Sequence, residues 1–290
     1  MKPAPFDYFA AHSLEQALSL LQRHGEDARP LAGGQSLVPM MALRLARPAV
    51  LVDLNPVANL AGIELHADHL RIGAMTRQAD ILSSAEVRRR APLLAEALSH
   101  VGHPPTRNRG TLGGSLSLAD PSAELPVAMV ALEARFTLES SRGTRALAAA
   151  DFFKDAFETA LAADELLTSI EVPHARPSSS FCEISPRKGD FAIVAAAAHL
   201  DCDPGGICRS CRLVLGGIAG APVACPEVEQ RLRGERLDAA AIASAISSFP
   251  AEKVETEDRR AGRAYRRKVA PVIARRALQA ALAKCGEGGR

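Results

Sequence analysis

The sequence predicts an α+β protein built in two parts, and three observations carry that expectation. Helical and strand-like patterns alternate through the opening third. Two later stretches, 63–75 and 191–219, pair short apolar runs around turn residues, and the Pro/Ser-rich run PHARPSSS at 173–180 reads as a linker. A chain of 290 residues with 47% hydrophobic content has room for about two domains. They are placed at 1–175, with subdomains of about 1–56 and 57–175, and at 176–290.

In the run SLEQALSLLQRH at 13–24, Leu14, Ala17, Leu18 and Leu21 fall at helical spacing. Ser13 stands at the N-cap and Gln16 at the capping-box position, and Gly25 supplies the stop. A short apolar strand then runs into the small-residue turn AGGQS at 32–36. A second helix is expected within 37–46, and PAVLVDL at 48–54 has the Val/Leu content of a buried strand. Residues 63–75 form two short segments about an Asp-containing turn, a hairpin pattern. Helices follow at 78–89 and 92–102, then a Gly-rich loop from 107, an apolar element and a strand ending near 140. Residues 151–173 read as a loop and short helix before a strand. Past the linker, the apolar runs 191–200 and 211–219 flank DCDPGGIC, whose Asp-Pro-Gly-Gly is turn chemistry. Helical patterns at 239–249 and 265–282 complete the chain, and the terminal Gly-Gly-Arg is expected to fray.

Charge narrows the function classes. With 23% charged residues and a net charge of +2, the chain lacks the basic footprint of a nucleic-acid binder. No secretory leader and no membrane-length apolar run is recognised, so the expected location is cytoplasmic, with the six cysteines reduced. There is no Trp and there are only two Tyr, which leaves few side chains to stack on a planar ligand.

Two small-residue loops, AGGQS at 32–36 and TLGGS at 111–115, carry the chemistry. Glycine permits positive φ and close approach of the main chain, and successive N–H groups pointing inward hold phosphate oxygens. The hydroxyls of Ser36, Thr111 and Ser115 add donors. Two such loops suit the two anionic groups of a pyrophosphate and hence a dinucleotide. Neither is GxGxxG, and no GxxxxGK[ST] occurs. Each Gly-Gly taken singly is also compatible with an ordinary turn.

The runs AGGQSLVPMMALRLARPAVLVDLN (32–55), RNRGTLGGSLSLADPSAELP (107–126) and RKGDFAIVAAAAHL (187–200) together resemble the FAD-binding medium subunit of molybdenum hydroxylases. That family includes carbon monoxide and xanthine dehydrogenases. The likeness continues through 151–153, 164–173, 215–219 and 265–278. It implies an FAD-binding domain of the vanillyl-alcohol-oxidase type, made of two α/β subdomains, followed by a C-terminal domain with a small antiparallel sheet and helices. The implied cofactor positions are Leu31, Ala32, Gly33, Gly34, Gln35, Ser36 and Leu37; Val101 and Gly102; and Gly110, Thr111, Gly113, Gly114 and Ser115. Asp120, Glu124, Leu167, Asp190 and Phe191 are added to these. Backbone atoms of 32–36 and 111–114 would grip the pyrophosphate. The segment from Ser115 to Glu124 would follow the adenosine half, with Glu124 accepting from ribose hydroxyls. The alternative for Glu124 is a carboxylate placed against a helix N-terminus. Phe191 occupies the position that reaches over the isoalloxazine ring in the family, or else serves the core; Asp190 positions that loop or simply turns it.

The family pattern is broken at HPPT, 103–106, where relatives usually carry a Gln-Val pair before RNRGT, and the two prolines here would stiffen the approach to the second loop. Arg107 and Arg109 either face the phosphates or are solvated. Cys202, Cys208, Cys211 and Cys225 are expected to be small apolar thiols, because Cys208 and Cys211 would face opposite sides of one strand. His66 and His69 straddle a turn, no HExxH or GxSxG appears, and no catalytic residue or metal ligand is assigned. The resemblance implies an electron-transfer subunit, active only in a complex with a small subunit holding 2Fe-2S clusters and a large molybdopterin subunit, arranged as a dimer of heterotrimers. FAD would pass electrons to an external acceptor such as a quinone or NAD. A self-contained FAD oxidoreductase and a flavin-free assembly subunit are the competing readings.

Overall fold

The computed structural model describes residues 2–174 and 178–285. In chain order the first elements are β1 (Asp7–Ala10), α1 (Leu14–His24), β2 (Ala28–Leu31), α2 (Leu37–Ala42) and β3 (Val50–Asp53). The three strands form a parallel sheet in the order β1-β3-β2, with Tyr8 and Arg29 both opposite Leu51. Parallel pairing needs a crossover, and α1 supplies one, burying Ala17, Leu18, Leu20 and Leu21 against the sheet. Ser13 caps that helix by accepting from the Gln16 N–H.

Next come β4 (Ile63–Leu65), β5 (His69–Gly73), α3 (Gln78–Ser83), α4 (Ala85–Arg90), α5 (Pro92–His100), α6 (Pro104–Arg109), α7 (Leu112–Leu118) and α8 (Glu124–Ala131). They are followed by β6 (Arg135–Ser140), β7 (Gly143–Ala148), α9 (Ala149–Phe152), β8 (Phe153–Asp155), β9 (Glu158–Thr159) and β10 (Leu166–Pro173). An antiparallel sheet runs β4-β5-β10-β6-β7, and β8 pairs with β9. The expected single helix at 78–89 is two, because Ser84 leaves helical φ/ψ to end α3 and its hydroxyl caps Val87 of α4. The stretch read as a Gly-rich loop from 107 is largely helical. Prolines 104 and 105 open α6, where a missing N–H costs nothing, and Thr111 caps α7 through Gly114.

The chain continues through β11 (Ser179–Ile184), β12 (Val194–Cys202), β13 (Cys208–Gly216), β14 (Val223–Ala224), α10 (Pro226–Leu232), α11 (Ala239–Ile246) and α12 (Arg263–Cys285). Strands β11-β12-β13-β14 make a second antiparallel sheet, and α12 lies on β11 and β12. The hairpin expected about 201–208 is β12–β13. Strand β11 had no sequence signal. The centre of the expected linker, 175–177, and the terminal 286–290 lie outside the described residues. Cys208 and Cys211 do not face opposite sides. A bulge pairs Cys202 with Cys208 but Asp201 with Ser210, so Arg209 is passed over and both thiols enter the same core.

Helix α8 is buried along its whole length, packed on α5 and α7 at one side and on β12 and β13 at the other. It is the shared core element between the two antiparallel sheets, and its N-terminus opens toward the site described next. Among the described residues, no helix is long and apolar enough to cross a membrane.

Candidate functional site

The first loop leaves the C-terminal end of β2 and enters α2. Gly34 has φ 71°, a conformation that disfavours any side chain. Gly33 is buried, and a Cβ there would fall inside the Arg109 carbonyl. None of the N–H groups of Gly33, Gly34, Gln35 and Ser36 donates to another described residue. Four consecutive main-chain donors without protein acceptors, on a loop with little side-chain bulk, form a cradle for an anion. Leu31 and Leu37 flank it half-buried.

Residues not singled out from the sequence hold that loop. Asn55 donates from Nδ2 to the Ala32 carbonyl at 3.0 Å and accepts from Arg77 Nη2 at 2.6 Å. Arg77 Nη1 in turn donates to the Arg109 carbonyl, so one side chain ties the first loop to the end of α6. Asp53 accepts from the Asn55 N–H at 2.9 Å and from the Tyr8 hydroxyl at 2.5 Å. The signal available was the polar pair Asp53 and Asn55 at the end of an apolar strand, where α/β sheets place ligand-binding groups.

The second loop behaves differently from the expectation that both expose amides. Leu112 and Gly113 donate to the Thr76 and Ala74 carbonyls, while Gly114 and Ser115 donate to Thr111 Oγ1 and the Thr111 carbonyl. The cap of α7 and the 74–76 segment between them consume these donors. The glycines are needed for approach instead: a Cβ on Gly113 would meet Ala74, and one on the exposed Gly114 would stand 3.4 Å from Cβ of Ala32. Gly110 is similarly shut in by Gln78 and Thr106. The two loops are therefore neighbours, the first donating and the second closing the wall, with Ser115 half-buried beside them.

Farther along, Asp120 accepts from the Ser122 N–H at 2.8 Å, and burial raises its pKa. Glu124 is the first residue of α8 and only 4% exposed. Burial pushes its pKa up to about 8, opposed by a main-chain hydrogen bond and assisted by the charge of Glu183. Nearby, His100 Nδ1 lies 3.2 Å from Glu183 Oε1, and that contact raises the His100 pKa. Glu183 Oε2 is buried and has no hydrogen-bond partner among the described residues. This carboxylate-imidazole cluster joins α5, α8 and β11.

Val101 and Gly102 follow α5, their carbonyls held by Arg107 Nη1 at 2.8 and 3.0 Å. Arg107 thus serves the main chain, whereas the Arg109 side chain is exposed. Gly189 packs against the Gly102 carbonyl and His103, which brings the segment carrying Asp190 and Phe191 beside this corner. Asp190 is exposed in a turn closed by its N–H to the Arg187 carbonyl. Phe191 is 49% exposed, so it is not a core residue. Arg260 reaches the Phe191 carbonyl at 3.4 Å and Ser122 Oγ at 2.8 Å while paired with Asp258. Leu167 is buried at a bulge in β10, which leaves only its main chain to meet a ligand.

An anion cradle walled by close-packed glycines, a buried carboxyl at the start of α8 and an exposed aromatic beside Arg260 suit a dinucleotide with a planar end. Among the described residues, no three His, Cys, Asp or Glu side chains are grouped as a metal site would require.

Comparison with known proteins agrees with that geometry. Residues 4–175 match the FAD binding domain in molybdopterin dehydrogenase, and residues 179–281 match the CO dehydrogenase flavoprotein C-terminal domain. The chain is 40% identical over 247 residues to the 6-hydroxypseudooxynicotine dehydrogenase complex subunit alpha of Paenarthrobacter nicotinovorans, covering 84% of this chain and 83% of that one. It is 36% identical over 286 residues to the carbon monoxide dehydrogenase medium chain of Afipia carboxidovorans, covering 98% and 99%. The solved carbon monoxide dehydrogenase from Hydrogenophaga pseudoflava that lacks the Mo-pyranopterin moiety superposes with a TM-score of 0.94 at 35% identity, covering 98% of this chain and 100% of that one. The chain accordingly belongs to the FAD-binding subunits of the molybdenum hydroxylase family, as an oxidoreductase subunit.

Proposed function

We propose that the chain carries FAD as the electron outlet of a molybdenum hydroxylase, drawing electrons from 2Fe-2S clusters on a small partner subunit and passing them to an external acceptor. The observation that carries the reading is the row of four unengaged N–H groups from Gly33 to Ser36, closed by the glycines of α7. In this reading the first loop binds the pyrophosphate with Ser36, Thr111 and Ser115 hydroxyls in support, and Glu124 and Asp120 meet the adenosine ribose. Phe191 shields the flavin ring. Bound FAD supplies one- and two-electron transfer, so it can join single-electron clusters to an acceptor of either kind. The chain's own residues bind, orient and exclude water; no acid or base on it is required.

The partners in this proposal are the small iron-sulfur subunit and a large molybdopterin subunit, assembled in the cytoplasm as a dimer of heterotrimers. Val38, Leu43 and Leu45 beside the cradle are 51%, 55% and 73% exposed, an apolar surface suited to such a neighbour. A complex reconstituted without this chain should still reduce an artificial dye with substrate but lose turnover with its natural acceptor, and adding the FAD-loaded chain should restore it. Equal acceptor turnover without the chain overturns the electron-outlet reading. Failure of the purified chain to take up FAD overturns the cofactor assignment.

A further inference from the structure

A pair of thiols lies away from the flavin cradle. Cys202 ends β12, Cys285 ends α12, and their Sγ atoms are 3.3 Å apart. A disulfide requires about 2.05 Å between sulfurs, so closure takes an approach of only about 1 Å. The surroundings make this juncture structural as well as chemical. Lys284, the preceding residue, donates to Glu96 of α5 at 2.9 Å and to the Ser179 carbonyl of β11 at 2.7 Å. The last turn of α12 therefore touches an element of the FAD-binding domain and two strands of the second antiparallel sheet. Cys208 is the cross-strand register partner of Cys202, but its thiol donates to the Ser210 carbonyl at 3.4 Å.

We propose that Cys202 and Cys285 form a redox-modification site, in which a peroxide converts the pair to a disulfide that fastens the end of α12 to β12. Hydrogen peroxide first oxidises the Cys285 thiol to a sulfenic acid, the O–O bond breaking and one water leaving. The Cys202 sulfur then attacks the sulfenic sulfur, forming the S–S bond and releasing a second water. Two thiols lose two electrons and two protons, and the peroxide accepts both. Burial and the neighbouring Cys285 push the Cys202 thiol up to about 12, and burial pushes Cys208 up to about 11. The attacking thiolate is therefore scarce at neutral pH, and the cross-link forms faster as pH rises.

The full FAD-loaded chain, treated with hydrogen peroxide, alkylated and digested with trypsin without reductant, tests this. Cleavage leaves Cys202 and Cys208 together in peptide 189–209 and Cys285 in peptide 285–290. The expected product joins these two peptides through Cys202 on fragmentation, is reversed by dithiothreitol, and raises Tm by about 5 °C. It persists in Cys208→Ser and disappears in Cys285→Ser. A disulfide internal to peptide 189–209, a link through Cys208, or full retention of six alkylatable thiols overturns the proposal.

Discussion

Gly33 shows how a single residue type decides the site. Its missing Cβ is the space taken by the Arg109 carbonyl, and that backbone is itself held by Arg77. Gly33→Ala should therefore force the loops apart. A clash of about 3 kcal/mol corresponds to roughly 100-fold weaker FAD binding, read by flavin fluorescence titration of the purified chain. Glu124 makes a prediction about pH. Its folded pKa of about 8 lies above the ordinary 4.5, so the stability it contributes is complete below pH 4.5 and is lost as pH rises through about 8. The raised His100 acts with the same sign. Tm of the FAD-free chain should fall across that window, and Glu124→Gln should flatten much of the fall and raise Tm at pH 8.5. An unchanged slope in the variant would mean the carboxyl is ionised at neutral pH.

The elements show what local sequence conveys and what it omits. Ser13, the helical spacing of 14–21 and Gly25 fixed α1, because each acts through neighbours in the chain. The fate of the TLGGS amides was not legible. Thr111 caps its own helix, but Leu112 and Gly113 find acceptors at Thr76 and Ala74, which lie far away in sequence. Asn55 and Arg77 were missed for the same reason: their role is to connect loops 20 and more residues apart. Arg77→Ala removes both bridges, each worth about 1 kcal/mol, so FAD affinity should drop roughly 30-fold while the helical circular-dichroism signal stays constant. Thr111→Val should lower Tm by several degrees, since loss of an N-cap costs about 1 kcal/mol; a Tm within one degree of the parent would show the cap to be dispensable.

At the scale of the molecule, α8 and the end of α12 bind the two antiparallel sheets into one body, and the cradle opens beside an exposed apolar ridge. Leu43→Glu combined with Leu45→Glu should abolish co-purification with the partner subunits while leaving FAD content at the parental level. Loss of both would make the ridge part of the flavin fold rather than a docking face.

The sequence by itself determined the α+β class, the hairpins, the two glycine loops and the family, since these rest on local periodicity, turn chemistry and contiguous motifs. Only the tertiary structure decided which loop keeps its amides free, that Arg107 serves the main chain, that a bulge turns Cys208 and Cys211 into one core, and that Cys202 meets Cys285. The physical reason is that a donor's partner, a carboxyl's burial and a thiol's neighbour are set by segments brought together on folding, and no spacing along the chain encodes them.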